Sequence, residues 1–294
     1  MIYGSIVRRE YIDKGWSGDK KYRAETKDGR KYLLRIARPD RENRFRESFF
    51  RMQAFCKTGA SMCLPIELGR CSEGVYAIMS WIEGYDAEEY IPALPEARQY
   101  FYGVKAGEIL KKLHSLPAPA SAPDWETRFN QKIDRKLNMY ASCPLKYENG
   151  QAFIEFIKEN RHLLKNRPQC MQHGDYHIGN MMVDTDGNLV VIDFDRDDCG
   201  DPWEEFNRIV WCAQKSPAFA SGMTDAYFDF SVPMDFWRLL ALYISSNSLS
   251  SLPWAIPFGE REISVMQNQA KEILSWYDGM KCAVPSWYQP HREK

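Results

Sequence analysis

Two short apolar runs, Met181-Met182-Val183 and Leu189-Val190-Val191-Ile192, flank the polar stretch Asp184-Thr185-Asp186-Gly187-Asn188. Strand-length apolar runs around turn residues predict a β-hairpin, with Gly187 able to take positive φ in the turn. The turn signal Lys27-Asp28-Gly29-Arg30 predicts a second hairpin, with strands at Lys20 to Thr26 and Lys31 to Ile36. Val75 to Ser80 is nearly all apolar and reads as a buried strand. Within residues 41–57, Phe45, Phe49, Met52 and Cys56 recur at helical spacing, so this segment should pack on the sheet. Further along, the period becomes helical. Glu96 to His114 carries Ala97, Phe101, Val104, Leu110 and Leu113, and residues 124–165 read as amphipathic helix. The proline-rich stretch Leu116 to Pro123 predicts a stiff loop within that helical part.

A sheet with one helix followed by mostly helix implies an α+β chain in two parts. We expect residues 1–83 to form the smaller part and residues 84–294 the larger. A chain of 294 residues can bury a core of that size. Charge is balanced, with 39 basic and 40 acidic residues, so a nucleic-acid partner is not expected. No apolar run has the length of a membrane span, and Met1-Ile2-Tyr3-Gly4-Ser5 lacks the apolar core of a secretory leader. Eight scattered cysteines without a CxxC pair suit the reduced thiols of a cytoplasmic protein, expected as a monomer or weak homodimer.

Chemistry concentrates in His173-Gly174-Asp175-Tyr176-His177-Ile178-Gly179-Asn180 and in Ile192-Asp193-Phe194-Asp195. An acid, an amide five residues on, and a second acid brought back by a hairpin are what phosphoryl transfer needs. One carboxylate receives or orients the proton of the attacking hydroxyl. The amide and the other carboxylate hold Mg²⁺ against nucleotide phosphates. The glycines between His173 and His177 argue against a helix that would align the two rings on zinc. His173 is expected to brace the loop instead.

These residues, with Gly200-Asp201-Pro202, resemble in order and spacing the signature of the aminoglycoside phosphotransferase and choline kinase superfamily. The resemblance is specific over residues 173–202 and looser over most of residues 12–211. It implies a bilobal protein-kinase-like fold, with a small β-rich N-lobe and a larger, mainly helical C-lobe. By the same resemblance Asp175 is the catalytic base, Asn180 and Asp193 are Mg²⁺ ligands, and Asp201 braces the loop that follows, with Asp195 in a supporting place.

In that frame Gly15, Ser17 and Gly18 belong to a loop covering the phosphates of ATP or GTP. Arg35 stands on the strand where such kinases keep a cation, most often Lys. The expected partner of Arg35 is Glu47 on the following helix, with Glu42 second. Backbone atoms of Ser80, Trp81 and Ile82 would pair with the purine at a hinge.

The region after Pro202 holds six of the nine tryptophans and should shape the acceptor site. Its aromatics could stack on a sugar or frame a quaternary ammonium. The leading expectation is phosphoryl transfer to a hydroxyl of a cationic, aminoglycoside-like small molecule. The alternatives are a metabolic kinase for choline or a sugar amine, and a nucleotide-binding pseudokinase, the last favoured only by Arg35.

Overall fold

The computed structural model describes residues 1–13 and 18–290. In chain order the elements are β1 (Ile6–Tyr11), β2 (Lys20–Thr26), β3 (Lys31–Ala37), α1 (Glu42–Cys56), β4 (Pro65–Cys71), β5 (Gly74–Ser80), β6 (Gly84–Asp86) and α2 (Ala87–Tyr90). Then come α3 (Glu96–Leu113), α4 (Trp125–Ser142), α5 (Gln151–Asn160), β7 (Cys170–Gln172), β8 (Met181–Asp184), β9 (Leu189–Val191) and β10 (Asp198–Gly200). The chain continues through α6 (Ile209–Lys215), α7 (Pro217–Tyr227), α8 (Met234–Ala255) and α9 (Glu260–Trp276).

The elements gather into two compact units that interleave along the sequence. The first comprises Met1–Tyr90, His173–Asp175 and Gly179–Asp197, and the second the remainder. In the first unit an antiparallel sheet runs in the order β1-β2-β3-β5-β4. Its hairpin between β2 and β3 closes at Gly29, whose φ of 79° fits the turn. Alternation sorts the side chains of the sheet. Ala24, Tyr32, Leu34, Ile36, Tyr76 and Ile78 form a buried cluster on one face. The other face carries Arg35, Ala77 and Met79, which share a small cavity with Phe45, Phe49 and Met52 of α1. On α1 the fully buried positions are Phe49, Met52 and Phe55, so Phe55 takes the place expected for Cys56. A second sheet of the same unit, in the order β6-β8-β9, contains the 181–191 hairpin.

The second unit is mainly helical, with β7 and β10 as a two-stranded ribbon. The stretch read as helix over 124–165 is divided into α4 and α5 by the segment from Cys143 to Gly150. Helix α3 departs most from its apolar pattern. Ala97 and Phe101 face solvent, and the buried face is Tyr102, Gly103, Ala106, Gly107, Ile109, Leu110 and Leu113. The reason is a close helix crossing. A Cβ at Gly103 would collide with the Phe219 carbonyl of α7, and one at Gly107 with the Met223 carbonyl. Small residues mark this interface, and a search for large apolar side chains overlooks them. In the C-terminal region Trp237 and Trp287 are core residues, packed edge-on with ring centroids 6.1 Å apart. No helix among the described residues is long and apolar enough to cross a membrane.

The crossing of α3 and α7 gives a direct test. Gly103→Ala forces backbone apart in a filled interface and should cost about 1–3 kcal/mol, the usual range for overpacking. Urea denaturation reads this as a lower midpoint at unchanged slope. An unchanged midpoint would mean that the helices have room at this point.

Candidate active site

His173–Asp175, Asn180 and Ile192–Asp195 all belong to the first unit. β8 and β9 pair in the register Met181↔Val191, Met182↔Val190 and Val183↔Leu189. The turn is fixed by Asp184, whose Oδ1 accepts from the N–H groups of Asp186 at 3.0 Å and Asn188 at 2.7 Å. Pairing continues past the strands, with Ile192 N–H donating to the Asn180 carbonyl at 2.9 Å. Asn180 and Asp193 therefore leave adjacent ends of one hairpin. Asn180 Nδ2 donates to the Asp175 carbonyl at 2.9 Å, which joins the amide to the first acid. That orientation makes Oδ1 the side-chain atom suited to a cation.

His173 ties these pieces together. Its Nε2 lies 2.9 Å from the Ile192 carbonyl, which can only accept, so Nε2 carries the hydrogen. Nδ1 is then the acceptor for the Asp175 N–H at 3.3 Å. Gly174 permits the tight path, because its φ is 83° and a Cβ there would collide with the Arg196 carbonyl. The Asp175 carboxylate is partly exposed. Its Oδ2 is 3.8 Å from Arg196 Nε, and the side chain is 21% exposed.

Asp193 sits at φ 64°, a left-handed conformation that costs a non-glycine residue about 1–3 kcal/mol. Its neighbours impose it. The Phe194 ring is buried between Phe55, with centroids 5.5 Å apart, and His173, at 4.4 Å. Ser48 of α1 donates to the Phe194 carbonyl at 3.1 Å, and Arg44 to the Asp195 carbonyl at 3.2 Å. Asp193 Oδ1 is buried and has no hydrogen-bond partner among the described residues. Oδ2 faces Lys21 Nζ at 3.3 Å. Burial alone would push this carboxyl up, but Lys21 and then Arg35 outweigh it and hold it below the ordinary carboxylate range. A buried, unsatisfied carboxylate oxygen beside an amide oxygen suits a hard divalent cation. Among the described residues no three His, Cys, Asp or Glu gather as a metal cluster. A site with two protein oxygens suits Mg²⁺, which retains waters and takes substrate phosphates as ligands.

Arg35 is placed differently from expectation. It stands on β3 with 6% of its side chain exposed. One amino group meets Asp19 at 2.6 Å and the other pairs with Asp195. Burial works against the charge, but Asp195, Asp193 and Asp19 outweigh it and raise the pKa further. Asp19, 2% exposed, also accepts from Arg41 at 2.8 Å. Glu47 is not the partner of Arg35. Its side chain is 66% exposed and lies 3.9 Å from Arg51, one helical turn on. Glu42 is taken by Arg46 at 2.7 Å and Arg70 at 2.9 Å. The helix presents Ser48, Arg44 and Phe45 to the site, and the acids reach Arg35 from the loop before β2 and from the segment after β9.

Of the other expected positions, Gly15 and Ser17 lie outside the described residues, and Gly18 has φ 71°. At the end of β5 the Ser80 N–H is committed to the Leu64 carbonyl at 2.9 Å, and the Ser80 hydroxyl accepts from Leu64 N at 2.8 Å. Trp81 and Ile82 follow outside any strand. Asp201 belongs to the second unit. It is fully buried, where Arg167 grips it with Nε at 2.7 Å and Nη2 at 3.1 Å and Tyr243 donates at 2.6 Å. The acids after Pro202 are largely engaged. Glu204 pairs with Lys132 at 3.1 Å, and Asp225 accepts from Tyr100 at 2.7 Å and Tyr288 at 2.5 Å. Sequence reasoning missed Lys21, Asp19 and Ser48. Lys21 could have been found by aligning β2 against β3 across their hairpin.

The sequence matches the phosphotransferase enzyme family over residues 9–240. The chain belongs to that family, and its fold is bilobal and protein-kinase-like, with a β-rich N-terminal part and a mainly helical C-terminal part. Among solved structures it is similar to a choline/ethanolamine kinase family protein from Mesorhizobium loti, at 18% identity, 95% and 92% coverage of the two chains and a TM-score of 0.68. It is also similar to a thermostable mutant of aminoglycoside phosphotransferase APH(4)-Ia in ternary complex with ADP and hygromycin B, at 16% identity, 93% and 95% coverage and a TM-score of 0.64. A third likeness is to the GDP complex of an aminoglycoside 2′-phosphotransferase-IIIa mutant, at 12% identity, 94% coverage of both chains and a TM-score of 0.68. No curated protein matches the sequence.

Asp19 and Glu47 separate the two accounts of how Arg35 is held. Asp19→Ala leaves a buried guanidinium short of a partner and should cost about 3–5 kcal/mol, as breaking a buried pair does. Glu47→Ala, at an exposed position, should stay within about 0.5 kcal/mol of wild type. Chemical denaturation of both variants measures this. The reverse order would return Glu47 to the role of partner.

Proposed function

We propose that the protein is a Mg²⁺-dependent small-molecule kinase that transfers the γ-phosphoryl group of ATP or GTP to a hydroxyl. The observation that carries the reading is the hydrogen-bonded sequence Asp175, Asn180, Ile192 and Asp193. It joins the Asp175 carboxylate to an amide and to a second carboxylate, one oxygen of which is buried with no hydrogen-bond partner among the described residues. Asp175 would receive or orient the proton of the acceptor hydroxyl. Asn180 Oδ1 and the Asp193 carboxylate would hold Mg²⁺. When bound, the ion would neutralise charge on the nucleotide phosphates. With the Ser80 N–H committed to Leu64, backbone groups at Trp81 and Ile82 are the candidates for pairing with the purine. Asp195 and His173 hold the two acids in register. The chain's contribution is mainly positioning, because a loose phosphoryl transition state needs little covalent assistance. The nucleotide complexes among the similar structures support a nucleotide donor.

The acceptor is a hydroxylated, cationic small molecule, and the aminoglycoside phosphotransferases among the similar structures support an aminoglycoside-like one. One observation favours a second reading, an amino alcohol or sugar amine of lower charge. Glu204 and Asp225, two of the acids that a polycation would need, already have protein partners. A phosphorylation screen with ATP and GTP against aminoglycosides, choline and sugar amines decides between them. Turnover of none of these classes would remove the reading.

Two variants test the roles on whichever acceptor is turned over. Asp175→Asn should keep the fold and nucleotide affinity while turnover falls by about 10²–10⁴. Asp193→Ala should lose the Mg²⁺ dependence of nucleotide binding, read by titrating the metal at fixed nucleotide. Wild-type rates in the first variant, or an unshifted titration in the second, would refute the assignment.

A further inference from the structure

A kinase of this kind needs a cation on the phosphates of its nucleotide, and Arg35 is poorly placed to provide it. Both of its terminal amino groups are occupied, by Asp19 and by Asp195, and its side chain is almost fully buried. Its guanidinium also lies over the Phe45 ring, 5.6 Å from the centroid. A planar group pinned at three sides is a fixed part of the scaffold.

Directly across the sheet stands a second cation. The register of β2 and β3 pairs Lys21 with Arg35, so both side chains leave the same face. Lys21 is 13% exposed, and its Nζ lies 3.3 Å from Asp193 Oδ2. That separation is longer than the about 2.7–2.9 Å of a tight charge-assisted bond. The ammonium rides on a flexible four-carbon stem and can turn to a new anion without moving the backbone.

We infer that Lys21, on β2, supplies the cation that meets the nucleotide phosphates, and that Arg35, on β3, is the brace that fixes Asp195 and Asp19. This rests on the kinase reading above. It moves the phosphate-binding charge one strand over from the position where the sequence resemblance put it. Lys21 binds substrate, whereas Arg35 acts through the acids that it holds.

The test is equilibrium binding of a non-hydrolysable ATP analogue and of adenosine to wild type, Lys21→Met, Lys21→Gln and Lys21→Arg. Each is measured with Mg²⁺ and with EDTA, and thermal melting monitors the fold. Lys21→Met and Lys21→Gln should weaken the analogue about 10–100-fold, the value of a charged hydrogen bond, with adenosine affinity unchanged. Lys21→Arg should recover most of the loss. The loss should persist in EDTA, because a phosphate contact does not need the metal. A loss seen only with Mg²⁺ would make Lys21 an anchor for Asp193 and overturn the inference. So would wild-type analogue affinity in both uncharged variants. If wild type itself binds no nucleotide, the kinase reading falls and takes this assignment with it. If wild type binds and only the variants fail to differ, the kinase reading stands and the assignment alone falls.

Discussion

Burying the Arg35 guanidinium would be prohibitive without compensating carboxylates, and the first unit is arranged to supply them. Asp19 comes from the loop before β2 and Asp195 from the segment after β9. Two pieces of chain far apart in sequence thereby converge on one charge in the middle of a sheet. Paired charges in a dry setting are costly to form and more costly to break, so they act as a device for register more than as a source of stability. Arg41 on Asp19 and Arg44 on the Asp195 carbonyl extend the same device to the start of α1.

That register is what presents Asp193. A non-glycine residue at φ 64° does not hold itself there. Phe194, wedged between Phe55 and His173, and Ser48 on the Phe194 carbonyl force the backbone to turn. The outcome is a carboxylate with one buried, unsatisfied oxygen, placed beside Asn180 by the hairpin hydrogen bond from Ile192. Strain and an unmet hydrogen bond both lower stability. Their meeting at one residue points to a site that a ligand completes.

The local features of this arrangement were legible in the sequence, and the reason is contiguity. The turn at Asp184 to Asn188 and the strands that flank it occupy one short segment, so the juxtaposition of Asn180 and Asp193 needs no tertiary information. Strands β2 and β3 were legible from the turn between them, and β5 from its apolar run. The partner of Arg35 was not. A helix bearing acids close by in sequence made Glu47 attractive, whereas the acids in contact lie on loops whose course depends on the completed fold. Helix α3 misled for a different reason. Its buried face approaches α7 through Gly103 and Gly107, and an interface built on absent side chains leaves no apolar stripe to read. The tryptophans after Pro202 suggested ligand contacts, yet Trp237 and Trp287 serve as core. An aromatic residue looks the same in sequence whether it stacks on a ligand or on its neighbours.

The central claim is that Asn180 and Asp193, held by this brace, form a cation site that opens onto the nucleotide. The most direct test is a crystal structure with a non-hydrolysable ATP analogue and Mn²⁺ in place of Mg²⁺, located by anomalous scattering. The account predicts a metal coordinated by Asn180 Oδ1 and an Asp193 carboxylate oxygen, with phosphate oxygens and waters completing an octahedron. A metal bound to the phosphates alone, with Asp193 still paired to Lys21, would contradict it.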